Sequence, residues 1–386
     1  MTNGLRSEIE AMSDQLVAWR RDFHRHPELA FEERRTSSVV RAFLESRGVE
    51  VKTCGGTGLR GFLRGGRPGR TVALRADMDA LPVLEENAVE YRSQAPGTMH
   101  ACGHDGHMAI LMGAASLLAA HREELAGNVV FLFQPSEENP PGGARPMIEE
   151  GALEGVHAVF GLHLWQPLPT GVVGVCPGPM MAASDTIRVV VRGRGGHASQ
   201  PHLTIDPVVI ASHVVIAAHS IASRFVDPLQ PVVVSFTTVH GGRIHNIIPD
   251  EVSLTGTVRT LDPGVQRAVK KRLREVCERT CALFGATCEF EYEDGYPALL
   301  NDPATVALVA RVAGEELGAD RVRTIPPVMG GEDFAYYLQR VPGAFVMLGT
   351  GDGRRYPHHN PRFDIDERAL PAGVRLMTRT ALELLG

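Results

Sequence analysis

DTIRVVVRG (residues 185–193), IDPVVIASHVVIAAHSIASRF (205–225), PVVVSFTTVHG (231–241), EVSLTGTVRT (251–260), PGVQRAVKKRLREVCERTCALFG (263–285) and TCEFEYED (287–294) follow one another along the chain. The short β-branched runs read as strands, and the two long segments read as helices. Their order is β-α-β-β-α-β, a split ferredoxin-like unit. On either side the pattern differs. Upstream, strands in VEVKTC (49–54), TVALRAD (71–77), NVVFLFQ (128–134) and AVFGLHLW (158–165) alternate with helices near 36–47, 104–120 and 144–153. These strands lack period-two alternation, which describes a sheet buried on both faces. Downstream, DPATVALVARVAGEELG (302–318), AFVMLGTG (344–351) and DERALPAGVRLMTRTALELL (366–385) resume it as helix, strand and helix. The expected fold is α/β, a mixed sheet flanked by helices built from residues 1–183 and 296–386, with an α+β unit inserted at 184–295.

Ile9, Met12, Leu16, Trp19 and Phe23 add one face of an amphipathic helix that Pro27 ends. The chain's 386 residues exceed what one core comfortably fills, in agreement with more than one domain. With 39 Lys+Arg against 45 Asp+Glu the net charge is −6, which provides no field for a phosphate backbone, so a nucleic acid partner is not expected. The stretch Pro207–Ala222 is interrupted by Ser212, His213, His219 and Ser220, short of the roughly 18 apolar residues of a membrane span, so no membrane association is expected either. The first residues carry charges throughout and lack the apolar core of about 7 to 15 residues that a secretory signal needs. Six cysteines form no CxxC pair. A reduced, cytoplasmic setting is the expectation.

MHACGHDGHMA (99–109) holds the sharpest chemistry. Cys102 and His104, two apart in a glycine turn opening a helix, can face one ion, and thiolate with imidazole suits zinc, nickel, cobalt or manganese to differing degrees. A buried free cysteine beside a capping histidine is the plain alternative. His100 and His107 read as packing groups or as supports for the ligands. Glu137 and Glu138 follow a strand, where one carboxylate could bind metal and the other move protons; an acidic solvated turn has the same sequence. His163 lies within an apolar strand, as either a core histidine or a ligand. His358 and His359 follow the strand and glycines of AFVMLGTGDG. Asp77 and Asp79 end another strand, where carboxylates orient metal-bound imidazoles, or form an Asx turn. His213 and His219, six apart, do not share a helix face, Cys277 and Cys281 read as core, and the GTGDG glycines match no nucleotide loop.

In order, RRDFHRHPELAFEE, LRADMDALP, MHACGHDGHMA, FQPSEEN, GLHLWQPLPTG, GRGGHASQPHLTIDPV, HNIIPDEVSLTGTVRT, GGEDFAYY and HHNPRFDIDE resemble the aminoacylase/carboxypeptidase family of dimetal amidohydrolases. More narrowly they resemble its hippurate hydrolase, N-acyl-amino-acid amidohydrolase and auxin-conjugate hydrolase branch. The resemblance implies a metal-dependent exopeptidase-like catalytic domain, with the inserted unit as a lid that also makes a homodimer. It implies two divalent ions per subunit (Mn, Zn, Ni or Co), bridged by Cys102. His104 and His163 complete one site, Glu138 and His359 the other, and Glu137 is the general acid/base. Relatives outside the branch carry His where Asp77 stands and Asp where Cys102 stands, which weakens any assumption of zinc.

By the same likeness His197 of GGHAS stabilises the oxyanion from the lid of the second subunit, the alternative being a turn residue after two glycines. Asn246 and Arg259 would hold the substrate, Arg259 by paired bonds to a carboxylate, although a strand-ending arginine is also commonly solvent-paired. Gly330 and Gly331, before a helix expected near Glu332, could offer N–H groups to an anion or could cap the helix. The implied reaction is hydrolysis of an N-acyl amino acid. Alternatives are a dipeptidase or N-acetyl-diaminopimelate deacetylase on the same site, or a metal-dependent binding protein without catalysis, against which the retention of Glu137 beside Glu138 argues.

Overall fold

The computed structural model describes residues 2–351, 353 and 356–386. In chain order the strands are β1 (Glu50–Thr53), β2 (Leu59–Leu63), β3 (Arg67–Asp77), β4 (Ala126–Gln134), β5 (Ala158–Pro169), β6 (Val173–Val175), β7 (Gly178–Met181), β8 (Ala183–Arg192), β9 (Gly196–His197), β10 (Val232–Gly241), β11 (Ile247–Ile248), β12 (Glu251–Thr260), β13 (Thr287–Tyr296), β14 (Leu299–Asn301), β15 (Val322–Thr324) and β16 (Gly343–Gly351). The helices are α1 (Thr2–Ala11), α2 (Ser13–Arg25), α3 (Arg34–Ser46), α4 (His104–Ala120), α5 (Ala144–Glu149), α6 (Pro207–Arg224), α7 (Pro263–Leu283), α8 (Pro303–Leu317), α9 (Ala335–Leu338) and α10 (Leu370–Leu385). Three helices begin at an Asp-Pro pair: Asp206, Asp262 and Asp302 each accept a backbone N–H of the first turn, and the proline fills the first helical position.

Two compact units form. The first comprises Met1–Gly178, Leu300–Pro326 and Asp333–Gly386. Its sheet runs β1-β2-β4-β3-β5-β16-β6-β15. The central neighbours β4, β3, β5 and β16 are parallel, whereas β1 and β2 join antiparallel at one edge. Burial explains the sequence pattern: β16 is buried along its whole length, and β3 is buried from Thr71 onward. Helix α4 is apolar all round and buried from His104 to Ala119, as a helix enclosed by its neighbours must be. A Cβ on Gly106 would stand 2.4 Å from Leu164 Cδ1, so glycine is what lets α4 approach β5 this closely.

The second unit comprises Pro179–Leu299 and Pro327–Glu332. Its four-stranded antiparallel sheet runs β10-β12-β8-β13, the ferredoxin-like order, with α6 and α7 contributing Ile210, Val214, Val269 and Leu273 to its core. By length and composition alone α6 could cross a bilayer, which counting uninterrupted apolar residues does not anticipate. Its buried stripe, Ile210, Ala211, Val214, Ala218 and Ile221, lies in this core.

Local departures from expectation have local causes. The N-terminal helix breaks at Met12 into α1 and α2, although Ile9, Leu16 and Phe23 are all buried as the spacing implies. Helix α5 stops at Glu149, before Gly151 at φ 87°. The helix expected near Glu332 starts at Ala335 and is four residues long. Asp333 does not join it because its carboxylate is held by Arg75, Gln134 and the Ala144 N–H.

Candidate metal centre

In the first unit β5 and the carboxyl ends of β3, β4 and β16 deliver most of the residues expected to carry chemistry. Asp77 ends β3, Glu137 and Glu138 follow β4, His163 lies in β5, and His358 and His359 follow β16. Cys102 and His104 come from the turn that opens α4, where Gly103 takes φ 93°. The ends of parallel strands are where such sheets gather ligands.

Two groups of ligand-type atoms share Cys102. Cys102, His104 and His163 form one, Cys102, Glu138 and His359 the other, with all donor atoms of each group within 4.8 Å of one another. His104, Glu137 and Glu138 form a third group of the same compactness. Cys102 Sγ lies 3.4 Å from His163 Nε2, and His359 Nε2 lies 3.0 Å from Glu138 Oε1.

The other ends of these side chains are tied to the scaffold. His163 Nδ1–H donates to the Leu164 carbonyl at 2.8 Å, which leaves Nε2 as the lone-pair nitrogen facing the thiol. His104 Nδ1–H donates to the Asp79 carbonyl at 2.9 Å, leaving its buried Nε2 without a hydrogen-bond partner. Asp79 Oδ2 accepts the Glu138 N–H at 3.0 Å and so anchors the following turn. Glu138 Oε1 is also buried, with the His359 ring nitrogen as its ion-pair partner. An orphaned ring nitrogen on His104, converging with a buried thiol and a buried carboxylate oxygen, suits a cation and would otherwise be costly. The residues present therefore fit a metal pair.

The charge balance differs from one side chain to the next: burial works against the His104 cation, yet Asp77 and Asp79 raise its imidazole to about 10. Burial, followed by the neighbouring rings of His107 and His358, pushes His163 well below the ordinary imidazole range, so it is a neutral ligand-type ring. Burial and then Glu138 and Glu137 push the Cys102 thiol well above its ordinary value. Burial works against the Asp77 carboxylate, yet His104, Arg75 and His107 hold it well below the usual range.

Beneath the donors lies a network that motif spacing does not reveal. Arg75, fully buried, contacts Asp77 at 2.6 Å, Asp333 at 3.0 Å and Gln134 at 2.9 Å. Glu33 accepts the Ser136 N–H at 2.9 Å and a hydroxyl hydrogen bond from Thr57. Among the described residues the non-glycine positions with φ in the left-handed region are Phe31, Ser136 and His359, all next to or within this cluster. Outliers so placed mark a site whose geometry is enforced by its surroundings. His107 has both ring nitrogens engaged, by Asp77 and the Leu164 N–H, and is not available as a ligand.

The remaining expected residues belong to the second unit. His197 in β9 pairs with Ile247 of β11, and the Ala198 N–H bonds the Asn246 carbonyl, so His197 and Asn246 share one ribbon. Ser199 donates to His197 Nδ1, through its N–H at 3.1 Å and with its hydroxyl at 2.8 Å, which puts the ring proton on the exposed Nε2. Arg259 is half-buried, its guanidinium on Thr257 and the Val258 carbonyl. Gly330 accepts the Ala182 N–H at 2.9 Å, and a Cβ on Gly331 would stand 2.8 Å from Ser184 Oγ. Because α9 starts later, neither glycine opens a helix, and close packing explains Gly331. Asp352 of GTGDG lies outside the described residues.

Residues 73–383 match peptidase family M20/M25/M40. The chain is 42% identical over 377 residues to thermostable carboxypeptidase 2 of Saccharolobus solfataricus, covering 96% of this chain and 95% of the relative. It is 44% identical over 294 residues to the N-acyl-L-amino acid amidohydrolase of Geobacillus stearothermophilus, covering 76% and 80%. The crystal structure of the Bacillus subtilis YXEP protein, described as a dinuclear metal binding peptidase from the M20 family, superposes with a TM-score of 0.86 at 36% identity, covering 97% and 99%.

Proposed function

This chain belongs to peptidase family M20/M25/M40, and from that premise we propose that it hydrolyses N-acyl amino acids to a carboxylic acid and a free amino acid. The observation that carries the reading is the sharing of Cys102 between two compact donor groups, with the buried Glu137 in a third beside them. Cys102, His104 and His163 would hold one divalent ion, and Cys102, Glu138 and His359 the other; Mn, Zn, Ni and Co are the candidates. A bound pair would supply Lewis acidity and make water acidic near neutral pH.

The chain's own residues do the rest. Glu137 takes a proton from the attacking water and returns it to the departing nitrogen. His197, protonated at Nε2, is assigned to the oxyanion, reaching the catalytic residues of the other subunit in a homodimer. Asn246 and Arg259 are assigned to the substrate, with Arg259 for its carboxylate. Six cysteines outside any disulfide among the described residues agree with a reducing, cytoplasmic setting.

A peptide bond is the second reading, favoured by the carboxypeptidase name of the Saccharolobus relative. The test is a panel of hippurate, acetylated amino acids, indoleacetyl conjugates, N-acetyl-diaminopimelate and simple dipeptides, offered to protein stripped of metal and then resupplied. Metal-dependent release of amino acid from the acylated members supports the proposal. Turnover of dipeptides alone selects the second reading, and turnover of none would leave a binding protein.

A further inference from the structure

Strand β5 pairs with β3 only as far as Gly161, opposite Arg75. Beyond that point backbone groups on the vacated side need other partners. At Leu164 the partners are three imidazoles. Its N–H donates to His107 Nε2 at 2.8 Å, and its carbonyl accepts from His163 Nδ1 at 2.8 Å and His358 Nε2 at 2.9 Å. Accepting that N–H fixes the tautomer of His107, so the proton sits on Nδ1 and is donated to Asp77 Oδ1 at 2.6 Å. One buried residue's backbone is thus clamped by His107 at its N–H while its carbonyl orients His163. The adjacent Gly106 brings α4 onto the Leu164 side chain.

We propose that His107 is a positioning residue that aims His163 Nε2 at Cys102 through the Leu164 backbone, without touching metal or substrate itself. The proposal rests on the metal-binding reading of His163 and Cys102 given above, but not on the identity of the substrate. Its weight falls on the Leu164 arm, because Asp77 keeps Arg75 as a partner when His107 is lost, whereas the described structure offers the Leu164 N–H no second acceptor.

Amide isosteres separate the two arms. The His107→Gln side chain places an oxygen near the position of imidazole Nε2 and can still accept from Leu164, whereas the shorter amide of His107→Asn mimics Nδ1 and serves only Asp77. Full-length protein stripped of metal is titrated with zinc against a chromophoric chelator, for wild type, His107→Gln, His107→Asn and His107→Ala. The expected pattern is loss of about 10- to 100-fold in affinity for the Asn and Ala variants, with the Gln variant within about threefold of wild type. An Asn variant equal to the Gln variant, or an Ala variant binding as wild type, overturns the proposal. A folded Gln variant that loses tenfold or more overturns it too, even where the Ala variant does not fold. Wild type that binds zinc but cleaves nothing in the panel would sink the hydrolase reading and leave this one standing.

Discussion

His163 presents its Nε2 to Cys102 Sγ at 3.4 Å while its Nδ1 is bound to its neighbour's carbonyl. The imidazole therefore has one free lone pair, aimed at the sulfur around which both donor groups are built. Replacing that sulfur should affect both groups at once. In Cys102→Ser, metal content measured by plasma emission should fall below that of wild type. The thiolate-to-cobalt charge-transfer band of the cobalt-loaded protein should disappear. A cobalt spectrum with that band intact would exclude Cys102 from the centre.

Glu137 is buried beside Glu138 and His104 and is the assigned proton carrier. Glu137→Ala should lower kcat on the best acylated substrate by about a hundredfold or more, with metal content unchanged. Turnover close to wild type would mean that another group moves the proton.

His197 and Glu137 sit in different units of the chain, and sharing between subunits makes a distinct expectation. Mixing an inactive His197→Ala chain with an inactive Glu137→Ala chain, under conditions where subunits exchange, should recover part of the activity. Exchange without recovery counts against a histidine supplied by the partner.

Glu33 links a pH dependence to the turn that carries Glu137. Burial raises its carboxyl to about 7, against the hydrogen bonds from Thr57 and Ser136 and with help from nearby Asp79. A folded value above the ordinary 4.5 means that the neutral acid is the form the fold prefers. The associated stability is complete below pH 4.5 and is lost as pH rises through about 7. Glu33→Gln, which cannot ionise, should remove about 1–3 kcal/mol of that decline. Melting curves between pH 5 and 8 check this: equal slopes for wild type and variant would place the titration elsewhere.

Arg20 is fully buried, with Asp105 and Asp364 at 2.8 Å and Glu367 at 3.2 Å. It ties α2 to the first turn of α4 and to the segment following His359. Arg20→Ala takes a buried cation from the buried Asp105 and from the partly buried Asp364 and Glu367, and should cost about 3–5 kcal/mol by urea denaturation. Arg20→Lys should recover only part, because a compact ammonium does not span three carboxylates in a fork. A loss below about 1 kcal/mol would show that the carboxylates find other partners.

The layout is legible in the sequence because its signals are local. Asp-Pro pairs start helices by capping, β-branched runs make strands, and a change from interleaved to split β-α-β-β-α-β order separates the inserted segment. Cys102, His104, Glu138, His163 and His359 are recognisable as donors from motifs, and the structure gathers them into compact groups. The helix expected near Glu332 fails for the opposite reason. Its first residues have helical composition, but Asp333 is committed to Arg75 in β3, a partner 258 positions away.

What the chain's order of residues determined alone was element type, the interruption of one fold by another and the inventory of ligand chemistry, all of which depend on near neighbours or on motif identity. Only the tertiary structure decided that His104 and His163 each turn Nδ1 to a backbone carbonyl, that both His107 nitrogens are engaged, by Asp77 and the Leu164 N–H, and that Glu33 and Arg75 lie beneath the donors. Those outcomes turn on which donor meets which acceptor after burial. A buried polar group must take whatever partner the fold brings within about 3 Å, however distant it is along the chain.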